Sequence, residues 1–346
     1  MKSRIILKSF WIISLVLFLF IGSQAIAKEK VYRWRAQGYA QPGSFSFKIT
    51  QQAFDDLKKA TNGRLEIKLY GAGSLVGPFE AIDAIGKGIF EVGLNAAAYY
   101  AGKDPAFSAL YSMAGVWPDS TYAKIWLYHF GGADLAAKLY AKYNLHYVGP
   151  VLTPPECLLS NKPIRTLDDL KGLKVRTTPG LASMLFQKLG ASPVPLPSGE
   201  IYSALDTKVI DAAEYGNITE NRDMGLLEVS KYVLDPSFHC PVAINDISVN
   251  KEAWNELPDD LKAALIMMTK QLASSIDYAA QASDIRVLQE EVAKGSIEHT
   301  TLSIEDREKA RMIAVENVKT WRDKSEMSAE MVNSILSYLK LRGIIQ

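Results

Sequence analysis

The sequence is poor in the residues from which disulfide frameworks, metal sites and hydrolytic centres are usually built. Two cysteines, Cys157 and Cys240, serve 346 residues, so a disulfide-stapled scaffold is excluded and the fold must rest on hydrophobic cores. They could still pair with each other in an oxidising compartment. Histidine occurs only at positions 129, 146, 239 and 299, and there is no G-x-S-x-G elbow, H-E-x-x-H pair, phosphate-binding loop or Cys-x-x-Cys. His239 adjoins Cys240, but neighbours in a strand point to opposite faces, which weakens the case for a catalytic pair. No apolar run after Lys28 reaches the ~18 residues that a membrane-spanning helix needs. An excess of positive charge is also absent. Setting aside residues 1–27, which hold Lys2, Arg4 and Lys8, leaves 36 basic against 38 acidic residues, with no basic run longer than a pair. Binding nucleic acid requires a face that neutralises phosphates, so no nucleic-acid partner is expected.

What the sequence does have begins at its N-terminus. Three basic residues precede an apolar stretch at 10–21 that only Ser14 interrupts, and Ala25-Ile26-Ala27 offers small residues around a break. This is the pattern of a secretory signal peptide over 1–27, cleaved after Ala27. No cysteine follows at the position of a lipid anchor, so the expected product diffuses freely in the periplasm. The remaining length allows two lobes, because single cores stop growing near ~250–300 residues.

Short β-like runs alternate with helical patterns. Residues 31–36 precede an amphipathic stretch at 46–60 with Ile49, Ala53, Phe54 and Leu57 on one face, ended by Asn62-Gly63. Strands at 65–69 and 92–95 flank a helix led by Pro78. A second series follows, with strands at 145–149, 174–176, 194–196 and 210–215 and helices at 181–189 and 199–207. Residues 258–294 then form one long helical pattern, and two further helices follow Ser303 and Ser328. The order implies an α/β fold of two lobes, each a parallel sheet with helices on both faces. The expected division is an N-terminal lobe at 28–150, a second lobe at 151–250, and C-terminal helices at 251–346 that pack across and complete both.

Ligands of such sheets sit beyond the carboxyl ends of strands, in the cleft between lobes. Three segments put polar side chains there: Pro155-Glu156-Cys157, Lys174-Val175-Arg176 and Ala213-Glu214-Tyr215. Arg176 stands out because a guanidinium grips a carboxylate bidentately and stays charged at any working pH. From the residues alone, a surface ion pair of Arg176 with Asp168 or Asp169 is an equal alternative. Tyr39, Tyr99, Tyr100 and Tyr202 lie near strand ends or helix starts, where a hydroxyl can meet a ligand while the ring packs.

The stretch SNKPIRTLDDLKGLKVRTTPGLASMLFQKLGASPVPLPSGEIYSALDTKVIDAAEY resembles the solute receptors of TRAP (tripartite ATP-independent periplasmic) transporters. The resemblance extends upstream through GRLEIKLYGAGSLVGPFEAIDAIGKG and AAAYYAGKDPAF, and downstream through VNKEAWNELPDDLKAAL. The G-K-D-P element and the string ending D-A-A-E are most similar to the branch that binds 2-oxo and 2-hydroxy monocarboxylates. The resemblance implies a receptor that is not an enzyme, works with TRAP membrane subunits and binds a small organic monocarboxylate, while the departures at Tyr215 and Asn217 could admit an aromatic acid; a homodimer stays open. It implies that Arg176 clamps the substrate carboxylate and that Tyr99 contacts substrate. It further implies that Glu214 and the backbone oxygen of Tyr215 ligate a bridging Ca²⁺ or Na⁺, with Glu156 where that branch has Gln.

The departures fall at the same site. Glu214-Tyr215 is followed by Gly-Asn-Ile-Thr-Glu where the branch has an apolar-Gly-Pro-aromatic pattern, and the region of its remaining carboxylate ligand reads His239-Cys240-Pro241. Asp246 could replace that ligand, or Glu156 and Glu214 could meet a ligand hydroxyl or amine with no metal. Two bare carboxylates beside an anionic ligand would repel it, so a cation, a proton or a polar substrate group must intervene. Tyr215 and Asn217, at positions where the branch differs, are expected to shape the ligand's side chain. A periplasmic enzyme acting on a small carboxylate is the alternative of another class.

Overall fold

The structure is a computed structural model that describes residues 29–345, so the expected signal peptide lies outside the described residues. Eleven strands are present among those residues: β1 (Tyr32–Gly38), β2 (Leu65–Tyr70), β3 (Val92–Asn95), β4 (Leu145–Thr153), β5 (Cys157–Ser160), β6 (Lys174–Thr177), β7 (Ser192–Pro195), β8 (Ala212–Tyr215), β9 (Tyr232–Leu234), β10 (Ala243–Asn250) and β11 (Glu298–Thr300). They form two sheets, in the orders β2-β1-β3-β10-β4 and β11-β9-β5-β8-β6-β7.

Neither sheet is wholly parallel. The βαβ units β1-β2-β3 and β6-β7-β8 pair in parallel as the alternation requires. However, β10 runs antiparallel between β3 and β4, and β5 antiparallel between β8 and β9. The reason is the path of the chain. It leaves the first sheet along β4, builds the second, and returns along β10, which therefore belongs to the first sheet although 243–250 was expected in the second lobe. A returning strand has no local crossover, and only parallel neighbours need one.

Local signals explain the helices that frame the cleft. The helix Phe45–Ala60 starts where the Ser44 side chain accepts from the Phe47 N–H and carries Lys58 and Lys59 in its last turn. Asn62 and Gly63, both at positive φ, then turn the chain into β2. This helix buries Phe54 and Leu57 against the first sheet and aims its N-terminus at the cleft. The helix Asp259–Ala293 has 35 residues, about 52 Å at 1.5 Å per residue. Leu261, Leu265, Met268, Leu272 and Ile276 enter the core of the first lobe, and Val287 enters that of the second. One helix thus spans both. Ile304–Arg322 is capped by Ser303 as expected, but Glu326–Leu341 is capped by Ser325 rather than Ser328, whose buried hydroxyl donates instead to the Trp321 carbonyl. These last helices lie against Ala106–Tyr111 of the first lobe and Leu181–Lys188 of the second.

Cys157 and Cys240 are both buried and free. Burial raises each thiol well above its ordinary pKa, which keeps it protonated and inert. No helix of the described residues is long and apolar enough to cross a membrane.

Candidate ligand-binding cleft

Two of the connections between the sheets, residues 154–156 and 235–242, run side by side, joined by the Glu156 N–H donating to the Cys240 carbonyl at 3.0 Å. The strand ends of both sheets converge around this clip. A cavity of about 40 Å³ lies there. Tyr39, Tyr99 and Tyr111 reach it from the first lobe, and Glu156, Arg176, Tyr215 and Asn217 line it from the connection and the second lobe.

Arg176 is 1% exposed, which removes the surface alternative; Asp168 instead pairs with Lys171 at 2.8 Å, and Asp169 caps the turn at Thr166. Strand alternation sends Val175 into the core of its sheet and Arg176 toward the cleft. Its Nε donates to the Leu196 carbonyl at 3.0 Å, Nη1 to the Glu214 carbonyl at 2.6 Å, and Nη2 to the Tyr99 hydroxyl at 3.3 Å. Of five N–H groups, two remain for a ligand. Burial opposes its charge, but Tyr99, Glu214 and Glu156 outweigh that and raise the pKa. Tyr99 is held in turn by the edge of Phe79, 5.2 Å away between centroids.

Glu156 and Glu214 are 4% and 1% exposed. Glu156 Oε1 accepts from the Tyr111 hydroxyl at 2.6 Å, while its buried Oε2 has no partner. Glu214 accepts the Thr178 N–H. Burial, then the adjacent Glu156, drives the Glu214 pKa well above the usual carboxylate range. Two charges of one sign cannot both persist there without a counter-ion.

His239 completes this cluster, its Nε2 4.0 Å from Glu214 Oε2 and without a hydrogen-bond partner. One donor atom each of Glu156, Glu214 and His239 lies within 4.8 Å of the others. Burial lowers the His239 pKa to about 4, against a smaller opposing effect of Glu156, so the imidazole is neutral. The orphaned Glu156 oxygen and the carboxylate of Glu214 fit a hard, oxygen-seeking cation. The imidazole adds a nitrogen that such an ion does not seek.

Other expected residues fall differently. The Tyr215 carbonyl accepts from Asn221 Nδ2 at 2.7 Å, and Asn217, though it lines the cavity, commits its Nδ2 to Asp284 on the long helix at 2.6 Å. Asp246 is not at the cluster: it accepts from Asn95 at 2.8 Å and from Tyr140 at 2.6 Å in the first lobe. Tyr100 donates to Asn95, and Tyr202 is 40% exposed. Tyr111, Thr178, Glu220 and Asn245 line the cavity without having been singled out in the sequence. Their common signal is tertiary. Only Glu220 had a local clue, in the unusual residues after Tyr215.

The cleft is closed. Ser46 N–H of the first lobe donates to Glu220 Oε2 of the second at 2.8 Å, and Lys48 pairs with Asp223 at 3.0 Å. The Ser108 hydroxyl receives the Leu181 N–H at 2.8 Å.

The chain matches the family profile described as bacterial extracellular solute-binding protein, family 7, over residues 37–324. It is 34% identical over 230 residues to a monocarboxylate 2-oxoacid-binding periplasmic protein of Nostoc; the match covers 66% of this chain and 62% of that relative's length. A TRAP periplasmic solute-binding protein of Rhodobacter sphaeroides, in an apo open structure, is 31% identical, with a TM-score of 0.71 over 90% of this chain and 99% of that one. One from Colwellia psychrerythraea, with bound calcium and pyruvate, is 27% identical, with a TM-score of 0.80 over 91% and 96%.

Proposed function

We propose that this chain, which belongs to bacterial extracellular solute-binding protein family 7, closes its two lobes on a small organic monocarboxylate of the 2-oxo or 2-hydroxy class and presents it to TRAP membrane subunits. Membership of a family of solute-binding proteins sets the enzyme alternative aside. The observation that carries the reading is a fully buried guanidinium with two free N–H groups at a closed interlobe cavity. A buried guanidinium without a bidentate partner is costly, and a carboxylate is the partner that its planar fork fits.

In this mechanism Tyr99 and the carbonyls of Leu196 and Glu214 fix the plane of Arg176 before the ligand arrives, so little orientational freedom is lost on binding. Glu156, Glu214 and the Tyr215 carbonyl would hold a Ca²⁺ or Na⁺, which when bound supplies positive charge toward the ligand's oxygens. The relative with calcium and pyruvate supports that assignment. Tyr111 holds Glu156 in place, and Thr178 holds Glu214. The Ser46–Glu220 and Lys48–Asp223 contacts then latch the lobes. Residues 1–27 would direct export to the periplasm.

A melting-temperature screen of small carboxylates tests the reading. A ligand at a hundred times its Kd stabilises the folded state by about 2.7 kcal/mol, so the bound acid raises the melting temperature by several degrees. No shift with any 2-oxo or 2-hydroxy acid in a broad panel would refute it.

A further inference from the structure

The end of the cavity near Glu220 is built from polar groups that lack partners. Glu220 is 3% exposed, on the short helix Ile218–Asp223 of the second lobe. Its Oε2 accepts the Ser46 N–H at the start of the first-lobe helix Phe45–Ala60, while its Oε1 is buried and unpartnered. Tyr39 Oη from the first lobe and Tyr215 Oη from the second are likewise buried and unpartnered, and both hydroxyls feel the Glu220 charge. All three residues line the cavity that Arg176 also lines. Tyr215 joins the two ends, since its ring centroid is 5.6 Å from the Arg176 guanidinium carbon while its hydroxyl belongs to the Glu220 group.

We infer that Glu220, with Tyr39 and Tyr215, selects a carboxylate that carries a hydrogen-bond donor, hydroxyl or ammonium, on the carbon farthest from its carboxyl group. This rests on the reading of the cleft as a carboxylate site at Arg176. A buried carboxylate oxygen without a partner carries a desolvation penalty that a donor relieves and a methyl group does not. The two phenols can each donate or accept, so they adapt to either donor. Glu220 is held in place by Ser46, whose N–H donates to its other oxygen, and its side chain packs close to Gly216.

The matched three-carbon acids lactate, glycerate and isoserine place a methyl, a hydroxyl and an ammonium at that carbon. Calorimetric titration of each into the wild-type protein is expected to show glycerate and isoserine binding at least about ten-fold tighter than lactate, the effect of one charge-assisted hydrogen bond. Glu220→Gln tests the residue. The Ser46 N–H keeps an acceptor only if the amide oxygen takes its place, which turns the Nε2 donor into the cavity. The advantage of the donor-bearing acids over lactate should then vanish or invert, read as a ratio of affinities within the variant so that any loss common to all three acids from the Ser46 contact cancels. Should that variant not fold, Tyr39→Phe and Tyr215→Phe each remove one hydroxyl from the same end and should shrink the advantage several-fold. Lactate binding as tightly as the other two, or an advantage that survives Glu220→Gln, overturns the inference and leaves the carboxylate reading standing. Absence of binding by all three acids overturns the inference, and the broad melting screen then decides the carboxylate reading separately.

Discussion

Arg176 donates to the backbone carbonyl of Glu214 at 2.6 Å, while the carboxylate of the same residue lies 3.9 Å from the guanidinium. The two charges are neighbours without forming a bidentate pair. Each thus keeps capacity for a third party, Arg176 for an anion and Glu214 for a cation.

Replacing Arg176 tests the first half. Arg176→Ala should weaken binding of the acid by on the order of 3–5 kcal/mol, the cost of truncating one partner of a buried charged contact. Arg176→Lys keeps the charge but loses the planar fork, so it should also bind more weakly than wild type. Calorimetric titration below each variant's melting temperature checks both; near-native affinity in the Ala variant contradicts the assignment.

The second half concerns the cation. If Glu156 and Glu214 hold an ion that touches the ligand, acid and ion must tighten each other by the same factor. Titrating the acid into protein dialysed against chelator in Na⁺-free buffer, then again with Ca²⁺ or Na⁺ restored, should show tighter binding in the second case. Glu214→Gln should weaken both partners together. Equal affinities, with no metal found by elemental analysis, would leave the two glutamates as acceptors for a ligand hydroxyl or amine.

Stability should fall with rising pH through Asp246. Burial raises its pKa to about 7, against smaller opposing effects of Asn95 and Tyr140. The folded chain then binds a proton that the unfolded chain releases near ~3.9, so between those values the folded state holds more protons and unfolding becomes easier as pH rises. The full effect is on the order of 4 kcal/mol. Denaturant melts of wild type and Asp246→Asn from pH 4 to 8 should show a slope that the variant loses.

The thiols offer a simple check on the fold. Cys157 and Cys240 should not react with a disulfide reagent in the native state and should both react once the protein is denatured. Rapid reaction of either in native protein would contradict its burial.

Much of this was legible in the sequence where the signals are local. Val92–Asn95 coincides with its expected strand, and the long helix agrees to within a residue at each end because caps and periodicity lie along the chain. The place of β10 was not legible, since a strand that returns from a distant lobe carries no mark of the neighbours it joins. The cleft divides in the same way. Glu156, Arg176, Tyr99 and Tyr215 follow from motif and strand-end position and do meet at one cavity. The geometry separates Asp246 from them and brings in Tyr111 and Glu220, which carry no motif, while His239, at the region of the remaining ligand, joins Glu156 and Glu214. Carboxylates 156 and 214 are 58 residues apart, and nothing in their spacing shows that their oxygens come within 4.8 Å of each other.

The most direct test of the central claim is a paired titration of the best-binding acid from the melting screen and its primary amide, which keeps shape and removes charge. A carboxylate held by Arg176 predicts saturable micromolar binding of the acid, roughly −8 kcal/mol, and no measurable binding of the amide. Equal affinity of the two would contradict it.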